Sequence, residues 1–314
     1  MSAPRSAFID IGTNTVLCLI AELRDGDRFR VLADLAEISR LGQGVDQSGF
    51  IGAEGEKRSR EVLERYLAAC KDLGVEEINA VGTSALRDAR NSREVRERWR
   101  QEIGLSVRVI SGDEEAAYSF LAVQRGLTLG APEVLVIDIG GGSTEFIRGN
   151  ENGVARALSI DIGSVRLTER FFHSDPVRED ECAAMAAAID RDLIPVGKAL
   201  GDSSTQVTLV GIAGTFTTLA AVEKQMAHYS HSAVHGACLK RTEVKRQVRL
   251  FQSKTIAERK MIPGLEAKRA DVILAGAWLT ERIMTSFGAE EIVVSDQGVR
   301  YGLLYERLAA RKTV

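Results

Sequence analysis

The stretch from residue 133 to residue 148 constrains the fold of this chain most, because an apolar run there meets acids and glycines. Residues 134–137 are short, β-branched and nearly continuous, which is typical of a strand buried on both faces. Asp138 stands where that strand would leave the core. Glycines without a Cβ let the next backbone N–H groups converge on phosphate oxygens. The candidate phosphate-binding residues of this turn are Gly140, Gly141, Gly142, Ser143 and Thr144.

Two well-known phosphate loops fit this stretch less well than a hairpin does. A dinucleotide-binding fingerprint needs a third small residue before a helix, but position 145 is Glu and the next residues turn. A P-loop needs a Lys, which does not follow here. The pattern therefore predicts a β-hairpin with Asp138 and Glu145 at its mouth and a divalent cation between them. The alternative is an ordinary hairpin turn.

The N-terminus repeats the same sequence pattern, an apolar run that ends in Asp and Gly. Ile9-Asp-Ile-Gly12 and Ile137-Asp-Ile-Gly140 are the same tetrapeptide, and Asp10 again precedes glycine and polar residues. Such a repeat predicts two related lobes, each with one phosphate-binding hairpin at a shared cleft. The phosphate-binding candidates of the first hairpin are Gly12, Thr13 and Asn14. A third copy, Ile160-Asp-Ile-Gly163, is interpreted as structural, because a tetrapeptide of common residues recurs by chance.

Length and charge set the broad class of protein. A chain of 314 residues is longer than a single hydrophobic core usually supports, so we expect two domains, residues 1–125 and 126–314. The closing helix is able to pack back on the first lobe. The formal net charge of −3 provides no overall basic field. The cysteines lack CxxC spacing, and neither a signal sequence nor a membrane-length apolar segment is present. We therefore expect a cytoplasmic protein that binds neither nucleic acid nor membrane.

Strands and helices alternate along the rest of the chain, which is typical of an α/β fold. The helix start Ser111-Gly-Asp-Glu-Glu-Ala116 follows a predicted strand at the end where α/β clefts lie. Acids in the first turn of a helix often serve only as caps. Glu114 and Glu115 diverge by about 100° on a helix, so they cannot both face a cleft, and periodicity does not choose between them.

Two later segments carry weaker signals. Residues 211–215 join a strand to a helix, so Gly214 and Thr215 are candidate phosphate contacts, although a plain tight turn fits nearly as well. Three histidines are spaced for one helical face without an acidic or Cys partner nearby, and we interpret them as solvated or turn residues and not as zinc ligands. They are His228, His231 and His235.

Seven motifs in order make the chain resemble the exopolyphosphatase and guanosine pentaphosphate phosphohydrolase family, a branch of the superfamily of sugar kinases, chaperone ATPases and actin. The resemblance runs from about Phe8 to Leu308. It implies an α/β fold of two actin-like (ribonuclease H-like) lobes, each a mixed β-sheet flanked by helices, with an interdomain cleft. The motifs are Asp10-Ile-Gly-Thr-Asn14, Ser39-Arg-Leu-Gly-Gln-Gly44, Gly82-Thr-Ser-Ala-Leu-Arg87, Ser111-Gly-Asp-Glu-Glu-Ala116, Asp138-Ile-Gly-Gly-Gly-Ser-Thr-Glu145, Gly211-Ile-Ala-Gly-Thr215 and Ser295-Asp-Gln-Gly-Val-Arg-Tyr-Gly302.

The resemblance also implies roles for individual residues. Glu115 would be the base that activates water, and Arg87 would hold phosphate. Asp10, Asp138 and Glu145 would organise Mg²⁺, and hard oxygen ligands of this kind select Mg²⁺ or Mn²⁺ over zinc. The implied activity is that of a phosphoanhydride hydrolase, the metal-dependent hydrolysis of the terminal phosphoryl group of inorganic polyphosphate. A homodimer is one assembly compatible with these features.

Other functions stay open at this point. Guanosine pentaphosphate presents a terminal phosphoryl group to the same apparatus as polyphosphate, so the sequence does not choose between the two substrates. A non-hydrolytic actin-like nucleotide-binding or scaffold protein would need no base, and a small-molecule kinase would use an Asp base and a sugar pocket. The Glu-Glu pair at the helix start favours hydrolysis.

The end of the chain leads to an expectation about substrate length. Because no further domain follows Leu308, we expect contact with few phosphates, distributive cleavage and a preference for short chains. The candidate contacts at the rim are Arg40, Arg87, Arg90, Arg93, Arg166 and the basic residues between positions 241 and 249.

Overall fold

The computed structural model describes residues 3–26, 28–200 and 207–311. The chain divides into two compact units, one made of Met1–Ala122 with Val299–Val314 and the other of Val123–Gly298. Each unit contains a mixed sheet with flanking helices, so the prediction of two α/β lobes is confirmed. Within the described residues, no helix combines the length and the hydropathy that crossing a bilayer requires.

The first unit begins with two strands joined by a glycine turn. Its elements are β1 (Arg5–Ile11), β2 (Thr15–Leu23), β3 (Phe29–Ile38), α1 (Val45–Ser48), α2 (Ala53–Asp72), β4 (Glu77–Gly82), α3 (Ser84–Asp88), α4 (Ser92–Ile103), β5 (Arg108–Val109) and α5 (Gly112–Gly126), of which the residues after Ala122 belong to the second unit. In the part of the chain that the structure describes, the sheet order is β3-β2-β1-β4-β5. β1 is antiparallel to β2 and parallel to β4.

Helices cover both faces of this first sheet, because successive residues of a strand point to opposite sides. Ile9 of β1 lies in a cluster with Trp99 of α4, whereas Phe8 lies in a separate cluster with Tyr118 of α5. Burial on both faces accounts for the apolar run of β1. Asp10, near the end of β1, is the polar residue of this strand that lies close to the turn.

The second unit repeats this plan. Its elements are β6 (Glu133–Ile139), β7 (Thr144–Asn150), β8 (Gly153–Ile160), α6 (Ser164–Phe171), α7 (Glu179–Leu200), β9 (Val207–Ile212), α8 (Ala213–Glu223), α9 (His231–Val234), β10 (Cys238–Lys240), α10 (Arg241–Gln252), α11 (Ile256–Arg259), a 3-10 turn (Ala267–Arg269), α12 (Ile273–Ser286) and β11 (Glu291–Val294). Among the described residues, its sheet order is β10-β11-β9-β6-β7-β8. The last helix, α13 (Val299–Ala310), belongs to the first unit.

Strand pairing is the same around β1 and β6. β6 is antiparallel to β7 and parallel to β9, as β1 is to β2 and β4. Asp10 and Asp138 therefore hold equivalent places in the two sheets. The internal repeat predicted from the shared tetrapeptide is confirmed at the level of the backbone.

Candidate active site

The turns after β1 and β6 have the same hydrogen bond. The Gly12 N–H donates to the Thr15 carbonyl at 3.0 Å, and the Gly140 N–H donates to the Ser143 carbonyl at 3.0 Å. A Cβ atom would lie 3.1 Å from that carbonyl oxygen at Gly12 and 3.2 Å at Gly140, so a larger residue would crowd either turn. Both predicted hairpins are confirmed, and each has an acid two residues before its glycine.

Two carboxylates are neighbours on the second hairpin. Asp138 of β6 is the direct cross-strand partner of Glu145 of β7, which pairs in turn with Ser159 of β8. Side chains at directly paired positions lie on the same face of a sheet. The hydroxyls of Ser143 and Ser159 donate to Glu145 Oε1 at 2.6 and 2.9 Å, and Glu145 is only 8% exposed. These bonds orient the carboxylate of Glu145 on the face that it shares with Asp138.

These two acids are the predicted metal ligands that lie in one unit. Within the described residues, no group of three or more His, Cys, Asp or Glu side chains is placed to hold a metal ion. One or two carboxylates are the usual protein contribution to a Mg²⁺ site, which water and substrate phosphate oxygens complete. The donor set of Asp138 and Glu145 therefore fits Mg²⁺ or Mn²⁺ and does not fit a zinc site closed by protein ligands. Asp10, the third predicted ligand, lies in the first unit.

Asp10 has different surroundings from Asp138. Its neighbours in the sheet are the apolar residues Leu17 of β2 and Val81 of β4. Its Oδ1 atom is buried and, among the described residues, lacks a hydrogen-bond partner. Burial raises the pKa of Asp10 to about 7, the negative charge of Glu115 adds to the rise, and Arg300 opposes it. Asp10 is therefore a carboxyl group whose charge is costly unless a cation or a donor approaches.

Glu115 and Arg87 form an ion pair in the first unit. Arg87 Nη1 donates to Glu115 Oε2 at 2.9 Å and to the Ile110 carbonyl at 3.2 Å. The Glu115 side chain is 14% exposed. Burial raises the pKa of Glu115 above its ordinary value, although Arg87 acts to lower that pKa. A carboxylate with a raised pKa and a fixed orientation has the properties of a general base.

The neighbouring residue Glu114 caps the helix. Glu114 Oε2 accepts a hydrogen bond from the Ser111 N–H at 2.8 Å, and Ser111 Oγ accepts one from the Glu114 N–H at 3.1 Å. This reciprocal arrangement is a capping box. The Glu114 side chain is 44% exposed and forms a salt bridge with Arg108. Glu115 is therefore the glutamate directed towards Arg87, whereas Glu114 is directed towards the start of the helix.

The loop after β3 supports the first turn. The Asn14 carbonyl accepts hydrogen bonds from the N–H groups of Ser39 and Arg40, both at 3.0 Å, and the Thr13 carbonyl accepts one from Gly42 at 2.9 Å. Arg40 has a φ of 54°, a left-handed conformation that is costly for a residue with a side chain. Strain of this kind persists where surrounding contacts enforce it, and it clusters at functional loops.

Two predicted phosphate contacts have side chains directed into the protein. Thr144 is fully buried, and its Oγ1 donates to the Ile162 carbonyl at 2.6 Å. Thr215 is 5% exposed and lies against α12, since a Cβ atom at Gly276 would be 2.8 Å from its methyl carbon. Any phosphate contact by Thr144 or Thr215 is therefore confined to the backbone N–H group.

The structure also shows contacts of charged residues near these turns that the motifs did not reveal. A Cβ atom at Gly214 would lie 2.1 Å from Nη1 of Arg269, so this guanidinium covers the first turn of α8. In the first unit, Arg300 Nε lies 2.9 Å from Asp34 Oδ1, and both side chains are less than a tenth exposed. These partners are far apart in the sequence, so spacing gave no signal for either contact.

Two of the three histidines have an acidic partner that the sequence did not indicate, although the His231 side chain is 48% exposed. His231 Nδ1 lies 2.5 Å from Asp296 Oδ2, and His235 Nδ1 lies 3.3 Å from Asp296 Oδ1. His235 Nε2 also lies 3.0 Å from the carbonyl of Gly126. His228 precedes α9, so the three histidines do not share a helical face. The acidic partner was missed because it comes from the segment after β11.

Comparisons with known proteins agree with the motifs. A profile of the Ppx/GppA phosphatase family matches residues 19–311. The bifunctional 3-dehydroquinate synthase/phosphatase of Fusobacterium nucleatum is 34% identical over 96% of this chain, and the match spans 46% of that relative. Exopolyphosphatase 2 of Mycobacterium tuberculosis is 34% identical over 96% of this chain and 98% of its own length.

A solved structure extends the likeness to three dimensions. The crystal structure of the Ppx/GppA family member of Aquifex aeolicus is 34% identical to this chain, with a TM-score of 0.82 over 98% of each chain. Both units therefore have counterparts in a known protein. The predicted two-lobe actin-like fold is confirmed.

Proposed function

The chain belongs to the Ppx/GppA phosphatase family, and we propose that within this family it is an exopolyphosphatase. The proposed reaction is Mg²⁺-dependent hydrolysis of the terminal phosphoryl group of inorganic polyphosphate. The Mycobacterium tuberculosis relative, which matches over nearly the whole of both chains, supports this substrate through its name. The observation that carries the proposal is the ion pair of Glu115 and Arg87. A half-buried carboxylate that an arginine orients can accept a proton from water, a step that hydrolysis requires and that a scaffold or a nucleotide sensor does not.

Each group has one task in the proposed reaction. Glu115 accepts the proton of the attacking water, and Arg87 keeps its carboxylate in one orientation. The N–H groups of the two glycine turns bind phosphate oxygens, because consecutive amides in such turns form an anion-binding concavity. Asp138 and Glu145 would hold Mg²⁺. When bound, this ion neutralises phosphate charge that would otherwise repel the two carboxylates.

Short polyphosphate chains are the proposed preference. Arginines of α10 are paired with acids, Arg241 with Glu290 and Arg246 with Glu243. The net charge of the chain is −3. A long polyanion that extends beyond the turns therefore gains few contacts with positive charges, and its affinity rises little with length. Weak holding between successive cleavages favours distributive shortening of the whole population.

Phosphate release from tripolyphosphate, long-chain polyphosphate and guanosine pentaphosphate tests the proposed substrate. We expect release from polyphosphate with Mg²⁺, none with excess EDTA, and strongly reduced release from Glu115→Gln. Faster release from guanosine pentaphosphate would make the nucleotide the substrate. Tight binding of either compound without phosphate release would identify a non-hydrolytic binding protein, and full activity in EDTA would remove the metal.

Gel electrophoresis of a partly digested long-chain sample tests the distributive mode. We expect all chains to shorten gradually. Full-length chains together with end products, and nothing of intermediate length, would show processive cleavage and contradict the proposed preference for short chains.

A further inference from the structure

Backbone contacts fix the segment after β8 beneath the second turn. This segment contains the third copy of the tetrapeptide, residues 160–163. The Ser164 N–H donates to the Gly140 carbonyl at 3.0 Å. A Cβ atom at Gly163 would lie 2.4 Å from the Gly141 carbonyl oxygen, so the approach requires glycine at position 163. The first residues of α6 consequently have a defined position relative to the turn.

Arg166 of α6 brings a positive charge to this turn. Its N–H donates to the Gly141 carbonyl at 3.1 Å, and its Nη2 atom would lie 3.6 Å from a Cβ atom at Gly142. Its Nη1 atom donates to the Asp161 carbonyl at 3.1 Å and lies 3.5 Å from Asp161 Oδ1. The Arg166 side chain is 26% exposed, whereas the Asp161 side chain is 88% exposed. The guanidinium thus lies between the glycine turn and an acid in solvent.

We propose that Arg166 binds a phosphate group of the substrate at the second turn and that Asp161 is a built-in competitor for the same guanidinium. Without substrate, the Asp161 carboxylate partly neutralises Arg166. A phosphate group held by the N–H groups of residues 140–144 takes over that interaction. The inference rests on the proposed function, because the competing ligand is the phosphoanhydride substrate.

The exposure of Asp161 makes this exchange easy. An ion pair with an exposed partner changes a binding equilibrium constant by only about two- to fivefold, because solvent screens the attraction between the charges. A terminal phosphate carries more negative charge than a carboxylate and can accept two parallel hydrogen bonds from one guanidinium. Asp161 therefore weakens substrate binding without preventing it. The third copy of the tetrapeptide then has two functions. Gly163 permits the close approach to the second turn, and Asp161 lowers the affinity for substrate.

Steady-state hydrolysis of tripolyphosphate with Mg²⁺ tests this competition. Asp161→Asn should lower KM by about two- to fivefold and leave kcat nearly unchanged, because it removes only the competitor. Arg166→Gln should raise KM by about tenfold or more, since a charge-assisted hydrogen bond is lost. Arg166→Lys should recover part of that loss. Adding Asp161→Asn to Arg166→Gln should have no further effect, because no guanidinium remains to compete for.

Arg178 and Asp180 provide a matched control. They form another exposed arginine–aspartate pair in the same unit, with Arg178 Nε 2.9 Å from Asp180 Oδ1. Arg178→Gln and Asp180→Asn should leave KM at the wild-type value. Calorimetric binding of imidodiphosphate, which resists hydrolysis, should follow the same order of affinities as KM. Thermal melting shows whether each variant is folded.

Two results would overturn the proposal. A raised KM in Asp161→Asn would mean that Asp161 assists binding, and an unchanged KM in Arg166→Gln would remove the guanidinium from substrate binding. Either result leaves the proposed function intact if the wild-type protein releases phosphate. Absence of phosphate release from tripolyphosphate by the wild type would defeat the proposed function instead, and the imidodiphosphate affinities would still decide the role of Arg166.

Discussion

On the first hairpin Asp10 is paired across the strands with Leu17, whereas the same register on the second hairpin pairs Asp138 with Glu145. The backbone of the two turns is alike, down to a glycine N–H bonded to the carbonyl three residues on. Only the second hairpin therefore has two paired oxygen ligands of the kind that a hard cation prefers. The two hairpins thus share the backbone of their turns, whereas the side chains paired beside the turns differ in chemistry.

The residues that surround the two hairpins also differ in their chemistry. Near the second, serine hydroxyls donate to Glu145 and fix an oxygen of its carboxylate. Near the first, the charges of Glu115 and Arg300 act on Asp10 in opposite directions. Arg300 is held by Asp34, which also accepts a hydrogen bond from the Tyr301 hydroxyl at 2.9 Å. We therefore propose that the base lies in the first unit and the cation ligands in the second, and the following variants test this proposal.

The largest effect is expected at the proposed base. Glu115→Gln keeps the shape of the side chain but cannot accept a proton, so kcat should fall by about 10²- to 10⁴-fold. Glu114→Gln should retain most of the activity, because Glu114 caps α5 at its exposed end. Measurement of kcat for both variants decides the point. Wild-type turnover in Glu115→Gln together with loss in Glu114→Gln would reverse the assignment.

A smaller effect is expected on the Mg²⁺ requirement. Ser159→Ala removes a hydrogen bond that orients Glu145, so the Mg²⁺ concentration for half-maximal rate should rise about tenfold, and further in Glu145→Gln. Leu17→Ala, at the place on the first hairpin that corresponds to Glu145, should leave this concentration unchanged. Equal sensitivity of the two hairpins to these changes would remove the difference between them.

The pH profile tests the ion pair in the first unit. As the proposed base, Glu115 must be deprotonated to act, and Arg87 lowers its pKa, so Arg87→Gln should raise that pKa further. The acid limb of the kcat profile should then move to higher pH. Arg108→Gln is the control, because Arg108 pairs with Glu114. An acid limb that stays in place, or moves to lower pH, would show that Arg87 does not tune the base.

The smallest effect is expected on stability. The pKa of Asp10 in the folded protein is raised from 3.8 to about 7, so the folded state binds the proton more tightly than the unfolded state does. The free energy of unfolding therefore falls as pH rises through this range. Asp10→Asn should raise Tm by roughly 2–8 °C above pH 7, for a gain of about 1–2 kcal/mol, and by much less near pH 4. A Tm difference that does not depend on pH would contradict the burial of this charge.

Short-range patterns in the sequence predicted much of this arrangement. The two hairpins and their leading acids followed from apolar runs that end in Asp and Gly, because such local signals depend on backbone sterics. The directions of the side chains could be predicted less well from the sequence. The hydroxyl of Thr144 is bonded to the Ile162 carbonyl, which a turn motif cannot reveal. The homodimer and the roles of the site residues stay predictions.

Partners from distant parts of the chain could not be predicted in the same way. Ser159 reaches Glu145 because of the register of β8, and register depends on the whole sheet. Asp296 reaches His231 because the segment after β11 lies beside α9. A contact of this kind is set by tertiary packing, so neither spacing nor composition carries a signal for it.

Binding of Mn²⁺ without turnover tests the division of roles between the two units most directly. Mn²⁺ can replace Mg²⁺ at oxygen ligands, and its binding can be followed by electron paramagnetic resonance in the presence of imidodiphosphate. We expect Glu115→Gln to bind Mn²⁺ like the wild type while its release of phosphate from tripolyphosphate is strongly reduced, and Glu145→Gln to lose Mn²⁺ binding. Loss of Mn²⁺ binding in Glu115→Gln, with wild-type binding in Glu145→Gln, would contradict the account.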